Sequence, residues 1–340
     1  MEPSIRERIR DGLAWRMRPV TRYVSRYRPV FIVQNYHRLF RDTLTTDFDE
    51  GVFGGISEEY FRRQLAHLAR DYDVLTEREV IDCLGGKGRF PRKALLLTFD
   101  DGYKDNFTLA YPVLRDLHLP ALFFIPTLPW SSRRLGWWDL IAWCVKKTDR
   151  PAVTIDGEAR PLGTTAEKAA VIASLLRKFY RLPDAETRDL LETLSRDLDV
   201  ALPDVAVQSR ELMTTAEIRE MIEHGMAVGA HTHSHKVLST LDRETQDREI
   251  GTSKKLLEEG LGVTVRSFAY PVGTAHSFDD GTKKLVRDHG FSLAFSFYSG
   301  VNDPAGGIDP YDIRRTFRGH PYAGFLESFR EPYTFIRPRQ

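Results

Sequence analysis

The sequence predicts an α/β protein built on a parallel sheet with right-handed crossovers, either open or closed into a barrel. Three observations lead there. Short apolar runs of strand length alternate with amphipathic stretches of helix length along most of the 340 residues. The strongest of these runs is unbroken rather than alternating, as expected of a strand covered on both faces. Polar residues collect just past the ends of the runs, the edge where barrels and open α/β sheets place their chemistry.

Each element has its own warrant. Val30-Phe31-Ile32-Val33 is a short apolar run that predicts a buried strand ending at Asn35-Tyr36-His37. Ser57 is placed as an N-cap, with Tyr60, Phe61, Leu65 and Leu68 following at helical spacing. A second strand is expected over 72–75, then a short helix over 77–84 stopped by Gly85-Gly86. Ala94-Leu95-Leu96-Leu97-Thr98-Phe99 carries the strongest strand signal, bounded by Pro91 and by Asp100-Asp101-Gly102. A helix over 106–117 and a strand over 121–126 should follow. From 128 to 212 the pattern changes: Trp137, Trp138 and Trp143 precede two amphipathic stretches, 166–180 and 185–198, which read as a helical insertion. The alternation then resumes. Thr214-x-x-Glu217 is a capping box for a helix ending at His224-Gly225, and a strand over 226–230 runs straight into His231-Thr232-His233-Ser234-His235. A helix over 244–259, a strand over 263–270 ending at Pro271-Val272-Gly273, a helix over 281–288 and a strand over 291–297 complete the series. The chain divides into a basic leader over 1–28, a main domain over 29–320 carrying the insertion at 128–212, and a tail over 321–340.

Composition narrows the function. With 41% hydrophobic and 29% charged residues the chain is of ordinary globular type. A formal charge of +1 gives no global attraction to nucleic acid, and none is expected as a partner. The leader is the one local bias: Arg6, Arg8, Arg10, Arg16, Arg18, Arg22, Arg26 and Arg28 face few acids. It reads as a solvated helix; the sharper alternative is peripheral contact with an anionic membrane through Leu13, Trp15, Met17, Val20 and Tyr23. The first thirty residues hold no secretory apolar core, and no apolar run reaches bilayer length. Cys83 and Cys144 are far apart and in no metal-type spacing, so reduced thiols are expected. The expectation is a cytoplasmic protein, at the inner face of the membrane if the leader adheres.

Two carboxylates at the end of a buried strand, Asp100-Asp101, are costly unless paired, solvated or bound to a cation. Alone they also suit a helix N-cap and an Asp-Gly turn. The histidine cluster shifts the balance. His231 and His235 are four apart, so a helical turn projects both imidazoles to one side and turns His233 away. Neutral imidazole is the commonest metal ligand among side chains. Two histidines and one carboxylate, with positions open for water and substrate, form the donor set of a catalytic ion, zinc ahead of other transition metals. Such an ion lowers the pKa of bound water to about 7 and polarises a carbonyl. Adjacent aspartates suit a division of labour, one ligating and the other removing the water proton.

Thr98-Phe99-Asp100-Asp101-Gly102 together with His231-Thr232-x-x-His235 resembles the polysaccharide deacetylase, or NodB-homology, family. The likeness extends to Phe268-Ala269-Tyr270-Pro271-Val272-Gly273 and covers residues 30–318, interrupted by the insertion. The resemblance implies a distorted (β/α) barrel of about seven strands, fewer than the eight of a complete barrel. It also implies that Asp100 is the base and that Asp101, His231 and His235 hold the metal. The backbone N–H of Val272, one residue past Pro271, would bind the oxyanion, with Tyr270 beside it at the substrate. The implied reaction removes an N-acetyl, less often an O-acetyl, group from an amino sugar in a glycan or in a lipid- or nucleotide-linked precursor.

The chain departs from the family pattern twice. Many members carry an arginine two residues before the proline, to hold the catalytic aspartate; here that position is Ala269. A branch resembling this chain has a late arginine instead, and in Ile313-Arg314-Arg315 the choice falls on Arg315, whose bland alternative is a surface arginine. The usual late histidine motif of the general acid is also missing. His37 after the first strand and His320 in Gly319-His320-Pro321 are the candidates, and His37 is preferred because a strand end is the better-positioned platform.

Three rival readings have weaker support. A two-carboxylate glycosidase needs its carboxyl groups about 5 to 9 Å apart across the sugar and gives the histidines no task. A metal-dependent amidohydrolase acting on a cyclic amide or ureide keeps the site but changes the substrate. A non-catalytic carbohydrate-binding domain would not need the full donor set. Trp137 and Trp138 read first as core anchors, with a sugar-stacking wall as the alternative.

Overall fold

The computed structural model describes residues 29–41, 47–48, 55–182, 184–298 and 300–317. The basic leader, the tail over 321–340 and His320 lie outside the described residues.

Strand β1 (Val30–Tyr36) is buried along its whole length. Two short pieces, β2 (Leu39–Phe40) and β3 (Ile56–Ser57), pair with each other. The Ser57 side chain accepts from the Tyr60 N–H and so starts α1 (Glu58–Asp71). β4 (Asp73–Val74) and α2 (Glu77–Leu84) then lead to β5 (Lys93–Phe99). The helix after β5 begins as a π turn over Asn106–Ala110 before becoming α3 (Tyr111–Asp116). Pro112 accounts for the change of register, because it has no N–H to offer the carbonyl four residues back. β6 (Leu122–Ile125) follows.

Between β6 and the next barrel strand lie α4 (Thr127–Ser132), α5 (Trp137–Lys147), the hairpin β7 (Ala152–Ile155) and β8 (Glu158–Pro161), α6 (Thr165–Phe179), α7 (Asp184–Asp197) and α8 (Val205–Arg210). This segment builds a second core, in which Trp138, Ile141, Val145, Val171, Leu175 and Phe179 pack together. Its hairpin was not expected from the sequence, although Asp156-Gly157, both at positive φ, supplies the turn such a hairpin needs. The barrel continues with α9 (Thr215–Glu223), capped by the Thr214–Glu217 box, and β9 (Ala227–Ala230). α10 (Arg243–Leu261), β10 (Ser267–Ala269), α11 (Asp280–Asp288), β11 (Leu293–Ser296) and β12 (Ile313–Arg314) complete it.

The strands run in the order β1-β5-β6-β9-β10-β11-β12, every neighbouring pair parallel, with β4 beside the start of β5. The ring closes through Thr316. Its carbonyl accepts from the Asn35 N–H at 2.9 Å, and its N–H donates to the Val33 carbonyl at 2.8 Å. The fold is therefore a nearly closed seven-stranded barrel, distorted where β9 meets β10 at the single pair Ala230–Phe268.

Side chains alternate between the interior and the helix layer. Phe31, Val33, Leu96, Phe124, Phe295 and Ile313 fill the inside, while Ile32, Leu95, Leu97, Phe123, Val228 and Ala294 face the helices. The interior parity then carries polar groups at the carboxyl ends of the strands. Asn35 and His37 continue from Val33, Thr98 and Asp100 from Leu96, and Arg315 from Ile313. Gly229 stands at the interior parity in β9 without a side chain: a Cβ there would meet the Phe124 ring at 2.5 Å and the Ser267 carbonyl at 2.9 Å. The interior space at that level belongs to Phe124, and His231 comes two residues later.

Candidate metal and acid–base site

All the predicted site residues that the structure describes lie at the carboxyl edge of the barrel. Asp101, the second residue after β5, sits in the left-handed region at φ 74, with Gly102 at φ 69. Aspartate tolerates that region better than most residues, but the conformation is still strained. His231 follows β9 directly. The 231–235 segment is a non-helical bend with Thr232 at φ 60 and His235 at φ 58. The sequence suggested a helical turn; the bend brings the two imidazoles together by other means. The His235 N–H donates to Thr232 Oγ1 at 3.0 Å, and Glu249 Oε2 accepts the N–H groups of His233 and Ser234 at 2.9 and 2.8 Å. His233 turns away from the pair, its Nδ1 lying 2.9 Å from Thr127 Oγ1.

Three ligand atoms converge. His235 Nε2 lies 3.2 Å from His231 Nε2 and 3.4 Å from Asp101 Oδ1, and His231 Nε2 is 3.8 Å from the same oxygen. Donors about 2.0–2.2 Å from a tetrahedral ion stand about 3.3–3.6 Å from one another, so this triangle has the size the ion requires. Asp101, His231 and His235 are the one group of three such donors among the described residues, and all three are buried. Three protein donors leave a fourth position open.

The electrostatics also suit a cation. Burial lowers the His231 pKa, opposed by Asp100, and burial with the neighbouring His231 lowers that of His235 well below its ordinary value. Both rings are thus neutral at pH 7, as metal ligation demands. His231 Nδ1 is 2.8 Å from the Ala269 carbonyl, which fixes the tautomer that leaves Nε2 facing the triangle.

Asp100 is held on the other side. Arg315 Nη1 donates to Asp100 Oδ1 at 2.7 Å and to Asn35 Oδ1 at 3.0 Å. Asn35 Nδ2 donates to Asp100 Oδ2 at 2.9 Å, and Thr98 Oγ1 donates to Asn35 Oδ1 at 2.6 Å. Burial pushes the Asp100 carboxyl up, but Arg315, His231 and His37 together outweigh it and hold the group below the usual carboxylate range. His37 Nε2 is 3.6 Å from Asp100 Oδ2. Burial pushes His37 down to about 4, with Asp100 pulling the other way.

These groups face a recess of about 370 Å³ whose remaining wall includes Trp138, Tyr180, Tyr270, Val272 and Phe297. Val272 is at φ 61 in the turn after β10, which Gly273 completes by donating to the Pro271 carbonyl at 2.6 Å. Tyr270 donates its hydroxyl to the Tyr311 carbonyl at 3.0 Å, so its polar end is already engaged. Trp137 and Trp138 are both core residues; Trp137 stacks on Phe179, and Trp138 also lines the recess. Sequence reasoning missed Asn35 as a site residue, although it lies on the same strand face as His37. It also missed Tyr180 and Phe297, which no local pattern marks.

A seven-stranded barrel with a carboxylate pair and two histidines converging at its carboxyl edge belongs to the class of barrel hydrolases. Comparison with known proteins narrows this. The family model described as polysaccharide deacetylase matches residues 87–147 and 183–294. The chain belongs to that family. It is 20% identical over 264 residues to a Bacillus subtilis protein whose name places it among the polysaccharide deacetylases, covering 76% of this chain and 65% of that one. It is 32% identical over 101 residues to the poly-beta-1,6-N-acetyl-D-glucosamine N-deacetylase of Staphylococcus epidermidis, covering 27% and 35%. The chain thus spans less than two thirds of the length of these curated relatives. Among solved structures it superposes on a deacetylase of Streptococcus pyogenes in complex with acetate, with a TM-score of 0.58 and 17% identity over 89% of this chain and 99% of that one. A second, IcaB from Ammonifex degensii, gives 0.53 and 21% over 89% and 97%. At these identities the structural likeness is one of fold.

Proposed function

We propose that this chain is a metal-dependent deacetylase that hydrolyses the N-acetyl, less often O-acetyl, group of an amino-sugar glycan or its lipid- or nucleotide-linked precursor. The observation that carries the reading is the buried triangle of Asp101, His231 and His235 with the Asp100 carboxylate beside it. Zinc is the ion we favour, since two imidazoles and one carboxylate with an open position suit it. When bound, it supplies a lowered pKa for water and polarises the acetyl carbonyl oxygen.

The protein's own groups do the rest. Asp100, kept ionised by Arg315 and oriented by Asn35, accepts a proton from the attacking water. The N–H of Val272, a residue that lines the recess, is assigned to the oxyanion, a kind of contact whose loss costs about 3 kcal/mol or more. His37 is neutral in the free site, so the proton it delivers to the leaving amine must first be acquired. The Asp100 oxygen 3.6 Å from its Nε2 is the available source. Tyr270 and Pro271 shape the turn that presents Val272. We place this chemistry in the barrel domain over 29–320 with the insertion at 128–212. We place the protein in the cytoplasm, with the basic leader as a solvated segment.

The test is metal analysis of the purified chain combined with acetate release from a panel of N-acetylated sugars, free and linked. Zinc binding with chelator-sensitive acetate release is the expected result. Ring opening of a cyclic amide without acetate release would move the substrate outside the sugars.

A further inference from the structure

His231 and His235 are held in unlike ways. His231 has the usual support of a ligating imidazole, its second nitrogen paired with a backbone carbonyl. His235 Nδ1 is buried and has no hydrogen-bond partner among the described residues. Its ring instead lies against the indole of Trp138, 4.2 Å between centroids at 42°.

That indole is itself fixed. Trp138 Nε1 donates to the Tyr103 hydroxyl at 2.7 Å, and Tyr103 donates in turn to Asp139 Oδ1 at 2.8 Å. The Arg38 guanidinium lies 4.1 Å from the centre of the Tyr103 ring. All four side chains are buried. Tyr103 stands two residues after Asp101, so the loop that carries one ligand also anchors the residue pressed against another.

We propose that Trp138 is a positioning residue for the metal centre: its indole face, locked by Tyr103 and Asp139, sets the orientation of the His235 imidazole in place of the missing hydrogen bond to Nδ1. The proposal rests on the metal reading above. A ring confined by a rigid neighbour has little rotational freedom left to lose when it takes up an ion. Remove the neighbour and that ordering must be met from the binding energy. Trp138 belongs to the segment between β6 and β9, so this segment acts on the ion through a ligand.

Zinc affinity, measured by chelator competition on the full chain, tests this in wild type, Trp138→Leu, Trp138→Phe and Tyr103→Phe. The visible absorption of the cobalt-loaded forms reports ligand geometry, and thermal unfolding of the metal-free forms reports packing separately. Trp138→Leu should bind zinc about tenfold to a hundredfold more weakly and shift the cobalt bands. Trp138→Phe, which keeps an aromatic face, should recover most of the affinity, and Tyr103→Phe should fall between. A folded Trp138→Leu with wild-type affinity and cobalt spectrum overturns the proposal and leaves the metal reading standing. Should Trp138→Leu not fold, unchanged affinity and spectrum in Tyr103→Phe overturn it equally. A wild-type chain that takes up neither metal removes both.

Discussion

Arg315 Nη1 stands 2.7 Å from Asp100 Oδ1, and the two residues reach each other from strands on opposite sides of β1. Asn35, on β1 itself, contacts both, so the arginine, the amide and the carboxylate form a row across three neighbouring strands. Asp100 is 2% exposed and Arg315 1%, which leaves water little part in neutralising either charge.

Breaking that row should cost stability as well as activity. Arg315→Met leaves a buried carboxylate without its cation, a change worth about 3–5 kcal/mol. In the wild type the Asp100 pKa is depressed, so its contribution is full above the unfolded value of about 4 and is lost as pH falls through the folded value. In Arg315→Met burial raises the pKa instead, and the deficit should be greatest at neutral pH and shrink in acid. Denaturant titrations of both proteins at several pH values measure this; a deficit that grows in acid contradicts the pairing.

Asp100→Asn separates the base from the ligands. The amide is nearly isosteric and Asp100 is outside the triangle, so zinc content should stay at the wild-type level. Acetate release should fall by about 10²–10⁴-fold, the usual range for a lost general base. Full activity in this variant would reject Asp100 as the base.

The buried histidines predict an acid flank in stability. His37, His231 and His235 all have lowered pKa values, so between about pH 4 and 6.5 the unfolded chain binds more protons than the folded one. Stability of the metal-free protein should therefore rise with pH across that window. His37→Gln should flatten the slope, since a shift from 6.5 to about 4 corresponds to roughly 3 kcal/mol. Histidine ring NMR resonances provide the direct check; a His37 signal titrating near its ordinary value would contradict the prediction.

Gly229→Ala tests the packing beneath His231. The new methyl would press on the Phe124 ring and on the Ser267 carbonyl, which belongs to the β10 backbone and has little room to yield. Overpacking of this kind costs about 1–3 kcal/mol. Zinc affinity should fall with it, because the displaced strand end carries His231. Thermal unfolding and metal titration report the two effects.

Much of this was legible in the sequence, and unevenly. The unbroken run at 94–99 defines β5 because a strand covered on both faces leaves few polar positions, here Thr98 alone, and Asp100-Asp101 stand out against it. The histidine pair was legible for the same reason, directly after β9. Arg315 was singled out only through the family's need for an arginine; its local stretch, a two-residue strand, gives no periodic signal. Asn35 reads as an ordinary strand end until β1, β5 and β12 are placed side by side, since its role exists only between strands. The π turn at 106–110 was hidden for another reason. Pro112 looks compatible with a helix start, and only backbone hydrogen bonding shows how the register accommodates it.

The closing of the ring at Thr316 carries a consequence for how the chemistry is assembled. Arg315 is the residue next to that closure, so the segment that completes the ring also supplies the counter-ion of Asp100. The other strands carry Asp100, Asp101 and both imidazoles, but not that cation. Closure of the barrel and neutralisation of the Asp100 charge thus depend on the same short segment, residues 313–316.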